Sequence, residues 1–189
     1  MLVFVVIIFI SNVLHGQVVL PAYQGVYNST SFVCGTDTII DVDGNVYETV
    51  QIGDQCWMKE NLKAVHYSDG TAITLVADEA EWDALVKDDK AWCYYNNSST
   101  NGDVYGVLYT WAAAMNGASG SNSNPSGVQG VCPDGWHLPS ISEWSELTDF
   151  LGGSSVAGGK MKEAGTAHWV PPNASADNSS GFTALGAGR

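Results

Sequence analysis

The chain has 189 residues, long enough for one domain with a core of its own. Twenty Asp and Glu stand against seven Lys and Arg, a formal net charge of −13 at pH 7. Proteins hold nucleic-acid backbones and anionic membranes with basic side chains, so this balance excludes both as partners and leaves neutral polymers, cations and proteins.

In chain order, Leu2 to Ile10 is an unbroken apolar run followed by a short polar tail through His15, Gly16 and Gln17. It reads as a signal peptide over 1–16 cleaved near Gly16-Gln17, although no Lys or Arg precedes the run. A spanning helix needs roughly 20 apolar residues, so no transmembrane anchor is expected and the address is secreted or cell surface. Residues 17–37 form an extension without clear period, and the domain occupies 38–189.

Asp43-Gly44-Asn45 signals a tight turn. Val46 to Ile52 and Gln55 to Lys59 form a predicted hairpin through Gly53-Asp54. Asp69-Gly70 marks another turn. Asp78 is placed to cap a helix over Glu79 to Lys87 that turns Trp82, Leu85 and Val86 inward, and Ala91 to Tyr95 reads as a strand. Tyr105 to Met115 is a predicted helix with Leu108, Trp111, Ala112 and Met115 on one face. Gly117 to Gly130, rich in Ser, Asn and Gly, reads as a flexible surface insertion.

Pro133-Asp134-Gly135 is turn chemistry, and Ser140 with Glu143 reads as a capping box. The helix it opens runs from Ile141 to Leu151, with Ile141, Trp144, Leu147 and Leu151 on one face and Gly152-Gly153 as its stop. Val156 to Glu163 is a short helix or turn, and Pro171 to Ser180 a polar loop. The elements make a mixed α+β fold, helices against a mostly antiparallel sheet with long loops.

Four cysteines suit an exported protein. They allow three pairings; Cys34 with Cys56 and Cys93 with Cys132 is preferred, because each closes a moderate loop and the first ties the extension to the domain. Zinc is disfavoured because no two Cys have C-x-x-C spacing. Asp41-Val42-Asp43-Gly44-Asn45 resembles the opening of a calcium loop, but the twelfth position is Ile52 where a bidentate acid belongs, so a hairpin turn is the plainer reading. No cofactor is expected, and calcium is left open.

Seven Trp and eight Tyr invite comparison with sugar-stacking sites. Trp82, Trp111 and Trp144 fall on apolar helix faces and are assigned to the core. Trp57, Trp92, Tyr94, Tyr95 and Trp169 lie on strands or near loops and are the candidate ligand contacts. His66, His137 and His168 have no nucleophile placed beside them by sequence, so catalysis is not expected.

The blocks Asp41 to Tyr47, Ile52 to Leu62, Tyr105 to Trp111, Cys132 to Gly153, Val156 to Glu163 and Gly181 to Leu185 resemble, in that order, the Fibrobacter succinogenes major paralogous domain. That resemblance implies a secreted or surface-attached bacterial domain without an established activity. The stretch Trp136-His137-Leu138-Pro139-Ser140 with Glu143-Trp144 is also similar to the helix start of the C-type-lectin-like fold, whose architecture it implies but not the cysteine chemistry of its formylglycine-generating branch. Domains of the resembled family continue for several strands past a segment like Gly181 to Leu185. The resemblance therefore implies a missing C-terminal part and an open sheet edge. Two functions follow as expectations: a non-enzymatic surface module that binds glycans or a surface protein, and an assembly subunit whose sheet is completed by a partner's strand, forming an oligomer.

Overall fold

A computed structural model describes the backbone of Phe9–Ser11 and residues 32–186. The predicted signal peptide otherwise lies outside the described residues, as does the predicted extension up to residue 31. The fold is mixed α+β. Its strands form three small sheets rather than one, with five α-helices among the described residues.

The first sheet has the order β1 (Phe9–Ser11), β5 (Gln55–Met58), β4 (Thr49–Ile52), all antiparallel. The second is the hairpin of β2 (Ile39–Ile40) and β3 (Val46–Tyr47). The third places β7 (Ala91–Tyr94) between β6 (Thr74–Leu75), which is parallel to it, and β8 (Val107–Tyr109), which is antiparallel. The helices are α1 (Glu79–Ala84), α2 (Ser99–Tyr105), α3 (Trp111–Met115), α4 (Ile141–Phe150) and α5 (Ala157–Met161).

Two strands serve two cores each, because successive side chains leave a strand on opposite faces. From β5, Cys56 and Met58 enter the central cluster with Tyr47, Leu62, Tyr109 and Trp136, while Trp57 enters a second cluster with Leu147, Leu151 and Phe182 beneath α4. On β7, Trp92 joins the central cluster, and Ala91 and Cys93 face a third one built around Trp82 and Leu108. Burial on both faces is why these short strands lack polar alternation.

The same alternation corrects the cysteine pairing. Cys34 and Cys56 are bonded as expected, with Cα atoms 5.9 Å apart. Cys93 and Cys132 form no disulfide. They sit in different clusters, Cys93 toward α1 and Cys132 in the central core, so the sheet lies between the faces they occupy.

Two predicted helices change. The one predicted over Tyr105 to Met115 is instead the end of α2, then β8, then α3. Gly106 breaks it with φ +66°, passing so close to the chain at Leu62 that a Cβ would lie 2.5 Å from the Leu62 carbonyl oxygen. Val107 donates its N–H to that oxygen, so the chain continues as strand. The helix α1 is capped by Asp78 as predicted but stops at Ala84, because Leu85 is extended and Val86 N–H bonds the Asp89 carboxylate. Val86 is therefore exposed rather than inward. In α4 the capping box and the glycine stop are both present. Leu147 and Leu151 are buried, but Ile141 is 72% exposed, and Trp111 at the start of α3 is 56% exposed instead of core.

With such small sheets, tyrosine hydroxyls tie the layers together. Tyr109 donates to Ala64 O at 2.5 Å and Tyr67 to Ala113 O at 3.0 Å. Tyr47 donates to the Asp41 carboxylate at 2.6 Å. Burial raises the pKa of all three, with Tyr67 pushed up to about 12. The folded chain keeps these phenol protons, whereas the unfolded chain releases them near pH 10, so the folded state binds more protons above that pH and stability falls as pH rises. We expect alkaline unfolding above about pH 10 in which the last tyrosinate absorbance appears together with loss of far-ultraviolet circular dichroism; tyrosinate forming fully in a chain that stays folded would contradict it. Burial also pushes the Cys132 thiol up, which suppresses the reactive thiolate. Alkylation without reductant should label neither Cys93 nor Cys132 in the folded protein and both after denaturation, as read by intact mass.

Candidate functional site

Between α3, the 117–130 segment and the start of α4 lies a cavity of about 880 Å³. Its walls include Trp111, Met115, Val128, Leu138, Ile141 and Trp144. Trp111 and Ile141, both expected inside and found exposed, are among the residues that line it.

Each wall is fixed locally. For α3, Thr110 Oγ1 accepts the Ala113 N–H at 3.2 Å and donates to Asp89 O at 2.7 Å, which joins the helix cap to the turn before β7. Asn116 ends the helix in the left-handed conformation, and Lys90 Nζ donates to its Oδ1 at 2.8 Å. The 117–130 segment, read from its composition as flexible, is pinned along its length. Asn122 O accepts from Ser142 Oγ at 2.8 Å, Asn124 Nδ2 donates to Glu146 at 2.5 Å, and Leu138 N–H bonds Val128 O at 2.8 Å. Gly130 closes it against α3, where a Cβ would lie 2.1 Å from Ala114 O.

Beneath the cavity floor is Glu143, fully buried. Its Oε2 accepts N–H bonds from Ser140 at 2.8 Å and Ser126 at 3.3 Å, and its Oε1 lies 2.8 Å from His137 Nε2. Its backbone carbonyl takes the Gln55 side-chain amide at 3.1 Å, which ties α4 to β5. The hydroxyls of Ser126 and Ser140, both on the cavity lining, are engaged by Leu138 O and the Glu143 N–H respectively. Ser126 and Ser140 therefore form part of the floor, with Glu143 and His137 beneath it; the serines serve the carboxylate and the backbone.

The other histidines also meet acids. His66 Nδ1 lies 2.5 Å from Asp43 Oδ1, and His168 Nδ1 is 2.9 Å from both Glu163 oxygens. Spacings of 23, 6 and 5 residues have no helical or strand period, so the sequence carried no sign of these pairs.

The acidic turn at Asp41 serves the hairpin. Its carboxylate accepts from the N–H groups of Asp43 and Asn45, the Asn45 amide and the Tyr47 hydroxyl. Asp43 accepts from the Val65 and His66 N–H groups. These oxygens are turned to the chain itself. Among the described residues no group of three or more His, Cys, Asp or Glu is placed to hold a metal ion.

The candidate rings divide into two places. Trp57 is fully buried, 4.6 Å from the Trp144 ring centre and 5.8 Å from that of Phe182. Trp92 is buried with its indole N–H on Ile73 O, and Tyr94 packs edge-on against it while covering Gly102. Tyr95 and Trp169 are half-buried and reach one surface, where Tyr95 stacks edge-on with Tyr105 and Tyr105 with His168. Trp169 is held by its indole bond to Ala184 O and by the Lys162 ammonium over its ring. None of the five lines the cavity.

Among known proteins, the profile of the family described as the Fibrobacter succinogenes major domain matches residues 50–189. No curated protein and no solved structure matches the chain.

Removing the Glu143 side chain leaves its buried donors without an acceptor, at about 1–3 kcal/mol for each group. Glu143→Ala should lower the unfolding free energy in urea by about 3 kcal/mol or more, and Glu143→Gln by less, since one acceptor oxygen survives. Equal stability of Glu143→Ala and the parent would show that Glu143 does not hold the floor together.

Proposed function

The chain belongs to the Fibrobacter succinogenes major domain family, and on that premise we propose that it is a non-enzymatic, secreted or cell-surface binding module. The ligand enters the groove between α3 and α4. One observation carries the reading: Trp111 is 56% exposed on the wall of a cavity of about 880 Å³ whose scaffold is rigidly tied. A large exposed ring beside a preformed apolar cleft is the usual anatomy of a binding hot spot.

The lining favours a polypeptide over a sugar. Sugar sites need several convergent hydrogen-bonding groups, and of the four polar side chains on this lining Ser121, Ser126 and Ser140 already have partners within the chain, which leaves Asn122. Met115, Val128, Leu138 and Ile141 instead offer the surface that an aliphatic or aromatic side chain fills. Adhesion to a surface protein is the form of binding this supports.

The test is selection of displayed peptides on the immobilised full chain, with counter-selection on a Trp111→Ala/Ile141→Asp variant. Both positions are exposed, so the variant should keep its circular dichroism spectrum. Selected peptides should bind the parent about tenfold or more tightly than the variant. Peptides that bind both alike, or depletion by insoluble polysaccharide that depends on Trp111, would overturn the polypeptide reading.

A further inference from the structure

We propose that a second cavity, formed by α1, the end of β7 and the turn that follows it, holds a single neutral sugar ring. It shares no lining residue with the groove between α3 and α4, so the proposal stands apart from the polypeptide reading.

The cavity measures about 310 Å³. Ligand pockets span roughly 300–1,000 Å³, so this one admits a ring-sized unit rather than a length of chain. Its inner end is apolar, since Trp82, Cys93 and Leu108 reach it from the third core and are buried. Its mouth is polar, since Glu79, Asn96 and Asn97 line it and are exposed. Of the five rings singled out from the sequence, Tyr94 alone lines this cavity. Its position is fixed edge-on to Trp92, with ring centres 5.0 Å apart, and against Gly102.

The two asparagines are held at the mouth by a fixed turn. Both have left-handed backbone, with φ +52° at Asn96 and +51° at Asn97. After glycine, Asn is among the residues that adopt this conformation most readily. The Ser98 N–H and the Asn101 side-chain amide both donate to Tyr95 O, at 3.3 and 2.8 Å, which closes the turn against α2. Among the described residues, no hydrogen bond engages the side chain of Asn96 or Asn97. Glycine would satisfy this backbone alone; asparagine adds a donor and an acceptor beside the cavity.

Polar groups around an apolar inner end suit a hydroxylated ring, whose C–H face packs inward while its hydroxyls reach the mouth. A hydroxyl both donates and accepts, which matches two amides that do both and a carboxylate that accepts. An ammonium group only donates and would leave the amide donors unused. Around α1 stand Asp78, Glu79, Glu81 and Asp83, with no base in its last turn, so a uronic acid is repelled and a neutral ring is the occupant.

The experiment offers the full chain the methyl glycosides of glucose, galactose and mannose, each beside its uronic acid counterpart, and n-butylammonium, read by saturation-transfer NMR and titration. At least one neutral glycoside should bind, with the millimolar affinity that suits a single ring, and about tenfold or more tightly than its uronic acid at low salt. Asn96→Gly/Asn97→Gly keeps the left-handed turn and removes only the amides; it should weaken binding about tenfold or more. Glu79→Gln should narrow the preference over the uronic acid, and an unchanged preference would move the ring away from Glu79 and overturn the site. Trp111→Ala should leave sugar binding as it is. Binding indifferent to the double glycine variant, or no binding by any of the three glycosides, would overturn the proposal. So would n-butylammonium binding more tightly than every glycoside. Sugar binding lost in Trp111→Ala and kept in the double glycine variant would place the sugar in the groove and overturn both readings.

Discussion

A buried carboxylate organises this half of the molecule. Glu143 sits at the third position of α4, where its charge meets the exposed amides and positive end of the helix. From there it reaches the Ser140 cap, the 117–130 segment at Ser126 and the turn at His137. Through its backbone carbonyl it also meets β5. Four separate pieces of chain converge on one residue. Without it, the amides of Ser126 and Ser140 would be buried without an acceptor, and the floor of the groove would lose its reason to close.

Such a hub matters more in this fold than in a protein with an extended sheet. The strands are two to four residues long, so ladder bonds alone cannot hold the layers in register. Side chains supply the missing ties. Tyr67 reaches α3, Tyr109 reaches Ala64, Trp92 reaches Ile73, and Lys160 closes the end of α4 at Leu151 O. The Cys34–Cys56 bond does the same covalently for the chain entering β2, closing a loop of 22 residues, worth roughly 3 kcal/mol if its effect is on the unfolded chain.

How much of this could be read from the sequence depended on the range of the cause. The capping box, the glycine stop of α4, the hairpin of β4 and β5 and the Asp78 cap are set within a few residues, and all are present. Features set by distant contacts could not be read. The apparent helical period of Leu108, Trp111, Ala112 and Met115 joined a strand of three residues to a helix of five, because the close approach of Gly106 to Leu62 has no local signature. The 117–130 segment is compositionally a linker, yet its order comes from Ser142, Glu143, Glu146 and Leu138 beyond it. Trp57 looked accessible on a strand of mixed composition, but β5 has a core on each side.

The groove itself belongs to that second class, and its chemistry explains why. Apolar periodicity records that a residue faces away from bulk water in some context; it does not distinguish a core from a cleft. Trp111 and Ile141 carry the pattern of buried residues and are the most exposed members of their helix faces. In a helix as short as α3, packing of Ala113, Ala114 and Met115 fills the space against the sheet and leaves the first residue projecting. The buried pattern at an exposed position is thus the sequence trace of the groove, and only the path of the 117–130 segment around it turns that trace into a site.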